Sequence, residues 1–350
     1  MEAGAEAGVP FASLLAGVVG LAPWSAWQGV GSMLTLEFGE PQPEDAAGHA
    51  RGSWSLWVQM ASWRIEAGRE LLAGSEDSRE VIAEALDRIC GRRLTGVSAD
   101  GPVLDATFDF EGVRLKTFSI YAHPAQDGEP YDNWMFFCPD RRVLVVGQDE
   151  RWSLDASDMV EQSLDRPRGG PQAQSGGMQV GHAAAASGVA VLGATMSPAQ
   201  APFADLLRGA FGLLAAQVHR RRHGALSLEL VASRGGAGGD GEEDWFLIVW
   251  AASWRLEENG QILAAEGDEV PVVEAVLTRL QDRTLTGVST DGPALDTTFD
   301  FGGLLLRTFS VCTRPDGDHN IASWAVYRPS GDVVVMKYAG TWQTQPCDPA

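Results

Sequence analysis

Leu94–Ser119 reads LTGVSADGPVLDATFDFEGVRLKTFS, and Leu285–Ser310 reads LTGVSTDGPALDTTFDFGGLLLRTFS. Nineteen of the 26 aligned positions are identical, without a gap, at an offset of 191 residues (285 minus 94). Two long copies predict one module present twice, since a solenoid needs shorter and more numerous units. The match extends outward. Ala61-Ser62-Trp63-Arg64 returns as Ala252-Ser253-Trp254-Arg255, Trp54 as Trp245, Trp134 as Trp324 and Trp152 as Trp342. Upstream, Pro10-Phe11-Ala12 with Leu14-Leu15 returns as Pro202-Phe203-Ala204 with Leu206-Leu207. The expected modules span 8–158 and 200–345. Between them, 159–199 is rich in Gly, Ala, Ser, Gln and Pro without sustained periodicity, the composition of a flexible linker, with room for a short ordered piece at Val189–Leu192.

Each module changes period along its length. Phe11, Leu14, Leu15 and Val18 step by three and four, as do Phe203, Leu206, Leu207 and Phe211, which predicts an opening amphipathic helix. An internal copy of this segment also predicts that Val9–Leu21 belongs to the module and is not a cleaved leader. Strands are expected at Met33–Phe38 and Ala225–Val231. One long strand buried on both faces is expected at Trp54–Glu66 and again at Trp245–Glu257. A second helix follows at Ser78–Arg92 and Val270–Arg283, with Ser78 and Glu80 suited to its positive end and Arg88, Arg92 and Arg93 to its negative end. Short strands then fall at Leu94–Ser98, Ala106–Phe110, Arg114–Tyr121, Trp134–Cys138 and Val143–Gly147, separated by Asp100-Gly101-Pro102 and Glu111-Gly112 turns. The fold class read from this order is α+β, each module a mostly antiparallel sheet with one or two packed helices.

Composition bounds the function. The 350 residues hold 47 acidic against 26 basic side chains, a net charge of -21, so neither a phosphate backbone nor an anionic membrane is the expected surface partner. The acidity reads as a soluble, self-repelling surface, or as one shaped to meet a basic partner, since complementary charge speeds encounter. Four cysteines without C-x-x-C spacing fit neither a disulfide scaffold nor a zinc ribbon, and point to the cytoplasm. No apolar run is long enough to span a bilayer.

Three groups of residues are candidates for a site. Alternation along a strand sends Asp105, Thr107 and Asp109 to one face and Phe108 and Phe110 to the other, with Asp296, Thr298 and Asp300 repeating the pattern. Oxygen-bearing side chains on one face suit a hard cation or acid–base work, or simply a solvated face over a Phe-lined core. A tight Glu111-Gly112 turn would set Asp109 opposite Arg114, whereas Asp300 would meet Leu305. Arg64 with Glu66, and Arg255 with Glu257, share a strand face, as a fork gripping a ligand or as a self-satisfied ion pair. Twelve tryptophans form the third group. Those at matched positions read as core; Trp24, Trp27, Trp57 and Trp250, which differ between copies, read as surface or pocket residues. His219 and His223 stand at helical i, i+4 spacing on or near the second opening helix, but no carboxylate completes a zinc site. No catalytic constellation, metal site or cofactor motif is found: G-x-S-x-G, a P-loop and H-E-x-x-H are absent.

The string from Trp63-Arg64 through Leu94-Thr95-Gly96, Leu104-Asp105 to Phe118 and Asn133-Trp134 resembles small bacterial α+β proteins of toxin-immunity and accessory type, here duplicated in tandem. The resemblance implies a non-catalytic binding protein with a macromolecular partner, and the duplication implies an intramolecular pseudo-dimer. The alternative expectation is a small-molecule binder or enzyme of specialised metabolism with a Trp-lined pocket, in which Arg64, Glu66, Asp105 and Asp109 or their second-copy counterparts supply the polar groups. The first module is expected to carry the partner-facing tryptophans, and the second to support it.

Overall fold

The computed structural model describes residues 10–43, 50–124, 131–148, 151–157, 181–182, 205–221, 224–232, 244–313 and 322–347. It is built mostly of antiparallel strands in four sheets, arranged as two similar halves. The chain divides into two compact units, Met1–Gly68 with Ser78–Ser187, and Arg69–Asp77 with Gly188–Ala350. The expected linker, 159–199, lies outside the described residues except for Gly181–His182, as does the piece at Val189–Leu192.

The first half opens with a 3-10 helix, Pro10–Gly17, which buries Leu15; Val18, just past its end, is buried too. Apolar spacing of three serves this tighter helix as well as an α-helix. Strands β1 (Pro23–Gln28), β2 (Leu34–Pro41) and β3 (Gly52–Val58) follow, then β4 (Ala61–Ala67) and β5 (Glu70–Gly74). Helix α1 (Arg79–Asp87) is capped by Ser78, whose side chain accepts from the Val81 N–H, and buries Ile82, Ala85 and Leu86. Strands β6 (Leu94–Asp100), β7 (Asp105–Phe110), β8 (Val113–Ser119), β9 (Asp132–Phe137), β10 (Arg142–Gly147), β11 (Arg151–Ala156) and β12 (Gly181–His182) complete it. One sheet runs β1-β2-β3-β9-β10-β11-β12 and the other β5-β4-β8-β7-β6.

Each half therefore has two sheets where one was expected. The cause lies at Gln59-Met60. The expected long strand Trp54–Glu66 stops there, and the chain passes from β3 in the larger sheet to β4 in the smaller. The Gln59 and Met60 amides donate to the Asn133 and Asp132 carbonyls, 2.9 and 3.1 Å away, across the change. An apolar run that feeds two sheets in succession looks like one strand buried on both sides.

The second half repeats the plan. Its strands are β13 (Leu214–Arg220), β14 (Leu226–Val231), β15 (Trp245–Val249), β16 (Ala252–Glu258), β17 (Gln261–Ala265), β18 (Gly287–Asp291), β19 (Asp296–Phe301), β20 (Leu304–Ser310), β21 (Ala322–Tyr327), β22 (Asp332–Lys337) and β23 (Trp342–Pro346). Its sheets run β13-β14-β15-β21-β22-β23 and β17-β16-β20-β19-β18. Helix α2 (Val270–Leu277) ends in a 3-10 turn, Thr278–Leu280, well short of the expected Arg283. His219 lies on β13, not on a helix, so the i, i+4 spacing to His223 has no helical meaning; His223 itself lies outside the described residues.

The two sheets of a half meet through their aromatic faces. Phe108 stands edge-on to Trp134 at 5.3 Å between ring centroids, and Phe299 to Trp324 at the same distance. Phe38 stacks on Phe110 at 6.3 Å. Trp63, Trp134, Trp254 and Trp324 are fully buried, so these two matched pairs are core, while Trp54 with Trp245 and Trp152 with Trp342 are half-buried. Such rings hold the layers by buried area first and by their edge-to-face geometry second.

Candidate functional site

The paired carboxylates of the repeated hairpin are engaged by the backbone. Along β7, Asp105, Thr107 and Asp109 are half-buried while Ala106, Phe108 and Phe110 are buried, the alternation expected. Asp105 Oδ1 accepts from the Ser119 N–H at 2.9 Å, and Asp296 Oδ1 from Ser310 N–H at 3.1 Å. Asp109 Oδ1 accepts from Gly112 N–H at 2.8 Å and Asp300 Oδ1 from Gly303 N–H at 2.7 Å. The register sets Asp109 opposite Arg114 and Asp300 opposite Leu305. Arg114 Nε stands 3.9 Å from Asp109 in an exposed pair that contributes little. Each aspartate thus secures a turn or a strand end, and does so in both copies.

The arginine–glutamate pairs are internal. Arg64 Nε and Nη2 donate to Glu66 Oε1 at 2.9 and 2.6 Å, both side chains almost wholly buried, and Lys116 Nζ stands 3.4 Å from the other oxygen. Arg255 Nε donates to Glu257 Oε1 at 2.6 Å, with Arg307 Nε 2.8 Å from Oε2. A buried charge pair persists only when its lone pairs and protons are matched in this way.

None of the tryptophans that differ between copies is fully buried, unlike the matched pairs Trp63 with Trp254 and Trp134 with Trp324. Trp24 and Trp250 are 41% and 37% exposed, while Trp27 and Trp57 are half-buried. Trp27 and Trp57 lie on one face. Register pairs Trp27 with Thr35, Thr35 with Trp57, Trp57 with Met135 and Met135 with Val145. The neighbouring row is Ser25, Glu37, Ser55, Phe137 and Val143. Both rows point away from Leu34, Leu36 and Phe38, so they form the outer face of the larger sheet.

A compact constellation sits on that face. The Trp57 and Phe137 rings are 4.8 Å apart, and the Arg51 guanidinium lies 4.9 Å from the first and 5.3 Å from the second. Glu37 is buried on β2, its carboxylate accepting from Gly52 N–H at 2.7 Å and Ser55 Oγ at 2.9 Å. Burial pushes the Glu37 carboxyl above its ordinary value, and those two hydrogen bonds and the Arg51 charge oppose the rise. Trp57 Nε1 is buried with no acceptor among the described residues. Arg51 and Phe137 carry no repeated motif, and Glu37, repeated as Glu229, lies outside the long matched stretch, so sequence reasoning passed over all three. Two-residue alternation carried across three paired strands would have found them.

The second copy keeps the glutamate and departs at the other positions. Its outer face carries His219 for Trp27, Glu229 for Glu37, Ile248 for Trp57, Ala325 for Met135 and Tyr327 for Phe137. By sequence, Glu242 stands where Arg51 does. All four cysteines are free thiols; burial, and then Asp140, push Cys138 up to about 11, so it is no thiolate nucleophile at neutral pH. Among the described residues no helix is long and apolar enough to cross a membrane, and no three His, Cys, Asp or Glu side chains are placed to hold a metal ion.

Fold and site together define a duplicated, predominantly antiparallel two-sheet module with unlike outer faces. No family model, curated protein or solved structure matches the chain.

Proposed function

We propose that this chain is a non-catalytic, acidic binding protein of immunity or accessory type, and that its first half engages a basic protein through the β1–β3 side of its larger sheet. One observation carries the reading. The polar groups shared by both copies are committed to holding the fold, whereas the aromatic groups particular to the first copy, Trp24, Trp27 and Trp57, lie at or near its surface. Half-buried tryptophans supply large contact area at small ordering cost, which suits interface anchors. The charge of -21 selects a basic partner and sets its encounter rate.

The test compares capture from native lysate by the intact chain and by two variants, W24A/W27A and W250A. The expected result is one stoichiometric basic protein, lost with the double variant, kept with W250A and released by raised salt. A captured protein indifferent to W24A/W27A overturns the reading. So does a bound small molecule in native mass spectrometry with no protein captured, which would turn the assignment to the Trp-lined small-molecule site.

A further inference from the structure

Arg69–Asp77 belongs to the second compact unit, while the chain on either side of it belongs to the first. Its last residues, Gly74–Asp77, form a strap with specific anchors. Glu76 N–H donates to the Val311 carbonyl at 3.1 Å. The Asp77 carboxylate accepts from Gly74 N–H at 2.8 Å, from Thr313 N–H at 3.0 Å and from Thr313 Oγ1 at 2.7 Å. The second copy has the same turn, Asp268 accepting from Ala265 N–H at 2.8 Å, but with alanine in place of Gly74. That alanine would not fit the strap, because a Cβ at Gly74 would run into the Val311 carbonyl.

Against these anchors stands a pair of acids. Glu266 lies just past β17, its N–H held by the Trp254 carbonyl at 3.0 Å and its half-buried side chain set against the backbone of Gly224. Among the described residues the charges that act on it are Glu76 of the strap and Arg220 of β13, and Ser253 of β16 hydrogen-bonds to it. Glu76 is exposed and ionises first, although partial desolvation, and then Asp77, raise it. Desolvation raises Glu266 to about 7, with Ser253 and Arg220 opposing and the Glu76 charge adding. The strap also carries a cost of its own, since Ser75 Oγ is buried with no partner among the described residues.

We propose that Gly74–Asp77 is a proton-controlled latch, held on the second unit while Glu266 is protonated and released locally when Glu266 ionises beside the Glu76 carboxylate. Like charges brought together disfavour ionisation, and ionisation in turn drives them apart. Arg220 holds the ionised Glu266 where it is, so the strap is the partner that moves. The latched state binds the proton more tightly than the open one, so closure is favoured at low pH and weakens as pH rises through about 7. From pH 5.5 to 8 an ordinary carboxyl in the open state would let opening grow by roughly thirtyfold. Burial against Gly224 persists when the strap leaves, so about tenfold is expected.

The test is amide hydrogen exchange of the full chain, read residue by residue by NMR from pH 5.5 to 8 and corrected for intrinsic rates. The Glu76 and Thr313 amides report the latch. Their protection should fall about tenfold across the range and stay unchanged in low denaturant, as befits a local opening. Amides of the central strand β20 should respond to denaturant. E266Q should make the protection of both latch amides independent of pH, and E76Q should cut the fall to about threefold or less. Constant protection in the unaltered chain overturns the proposal, as does a fall that E266Q retains. A fall that shares the denaturant response of β20 overturns it too, because the unit then opens as a whole. Should E266Q fail to fold, E76Q decides: a tenfold fall preserved there ends the latch.

Discussion

The inner and outer faces of the two larger sheets have diverged to different degrees. On the inner face Leu34, Leu36 and Phe38 answer to Leu226, Leu228 and Leu230, and Trp134 to Trp324, all buried. On the outer face Trp27, Trp57, Met135 and Phe137 answer to His219, Ile248, Ala325 and Tyr327. Close packing explains the first, because each core side chain is held by many others and a change of one methylene is felt. On the outer face Met135, Phe137, Val143 and Val145 are buried as well, whereas Trp24, Trp27 and Trp57 on the β1–β3 side are partly exposed, so that side is the freer to acquire a different task in each copy. The comparison teaches that in a duplicated chain function is to be sought where the copies disagree.

Four measurements break or sharpen that contrast. The largest effect belongs to the shared core: Trp63→Ala and Trp254→Ala should each lower stability by about 3–5 kcal/mol, read by denaturant unfolding of the full chain. Both indoles are fully buried and donate to backbone carbonyls, Ser32 at 2.5 Å and Gly224 at 2.7 Å. Very unequal losses would mean that the copies do not share a core in energetic terms.

The next belongs to Glu266, whose counterpart in the first copy is Ser75. Desolvation raises its carboxyl to about 7, a Ser253 hydrogen bond and the Arg220 charge opposing the rise and the Glu76 charge adding to it. The folded chain therefore keeps a proton between pH 4.5 and 7 that the unfolded chain releases. The resulting stabilisation is full below about 4.5 and is lost as pH rises to about 7. It amounts to roughly 3 kcal/mol at most. Glu266→Gln should flatten the fall in melting temperature across this window, and an unchanged pH profile would contradict it. Ser75→Ala should leave the profile as it is.

Trp27→Ala should cost less than half the stability lost with Trp254→Ala, about 1–2 kcal/mol, while lowering affinity for the captured partner by at least about 2 kcal/mol. Equal destabilisation by the two changes would place Trp27 in the core and end the proposed asymmetry. The smallest effect is in the β7–β8 turn. Glu111 and Gly112 have φ of 51° and 90°, where the second copy has Gly302 and Gly303 at 67° and 92°. A left-handed backbone costs a non-glycine residue about 1 kcal/mol, so Glu111→Gly should raise stability by about that much, and Gly302→Glu should lower it similarly.

That same turn shows what the sequence makes readable. Two residues between alternating strands, one of them glycine, define a hairpin and its register, so Asp109 opposite Arg114 and Asp300 opposite Leu305 follow from local chemistry. The buried tryptophans were equally accessible, because a repeat compares the chain with itself. Strands β1 and β13 were not. Most of β1 is half-buried, the buried residues of β13, Ala215 and Val218, stand three apart, and no two-residue period stands out in PWSAWQ or LAAQVHR. The change of sheet at Gln59-Met60 was hidden for another reason. Nothing local marks it, and only the pairing of β3 with β9 and of β4 with β8 shows where one layer ends. The seat of Arg51 depends on that same distant pairing, which brings Phe137 beside Ser55.

The pairing of β3 with β9 also sets a timetable. Ser55 meets Phe137 across 82 residues of chain (137 minus 55), and all of the smaller sheet is made in between. During synthesis at roughly 5–20 residues per second, the β1–β3 meander therefore waits about 4–16 s for its neighbour. Throughout that interval β3 presents an open row of amides and carbonyls, with Trp54, Leu56 and Trp57 along it, the kind of edge that recruits other nascent chains. The second half repeats the wait between Phe246 and Tyr327. Yield in the cell should consequently respond to translation speed and to chaperones that shield strand edges, more strongly than equilibrium stability alone would suggest.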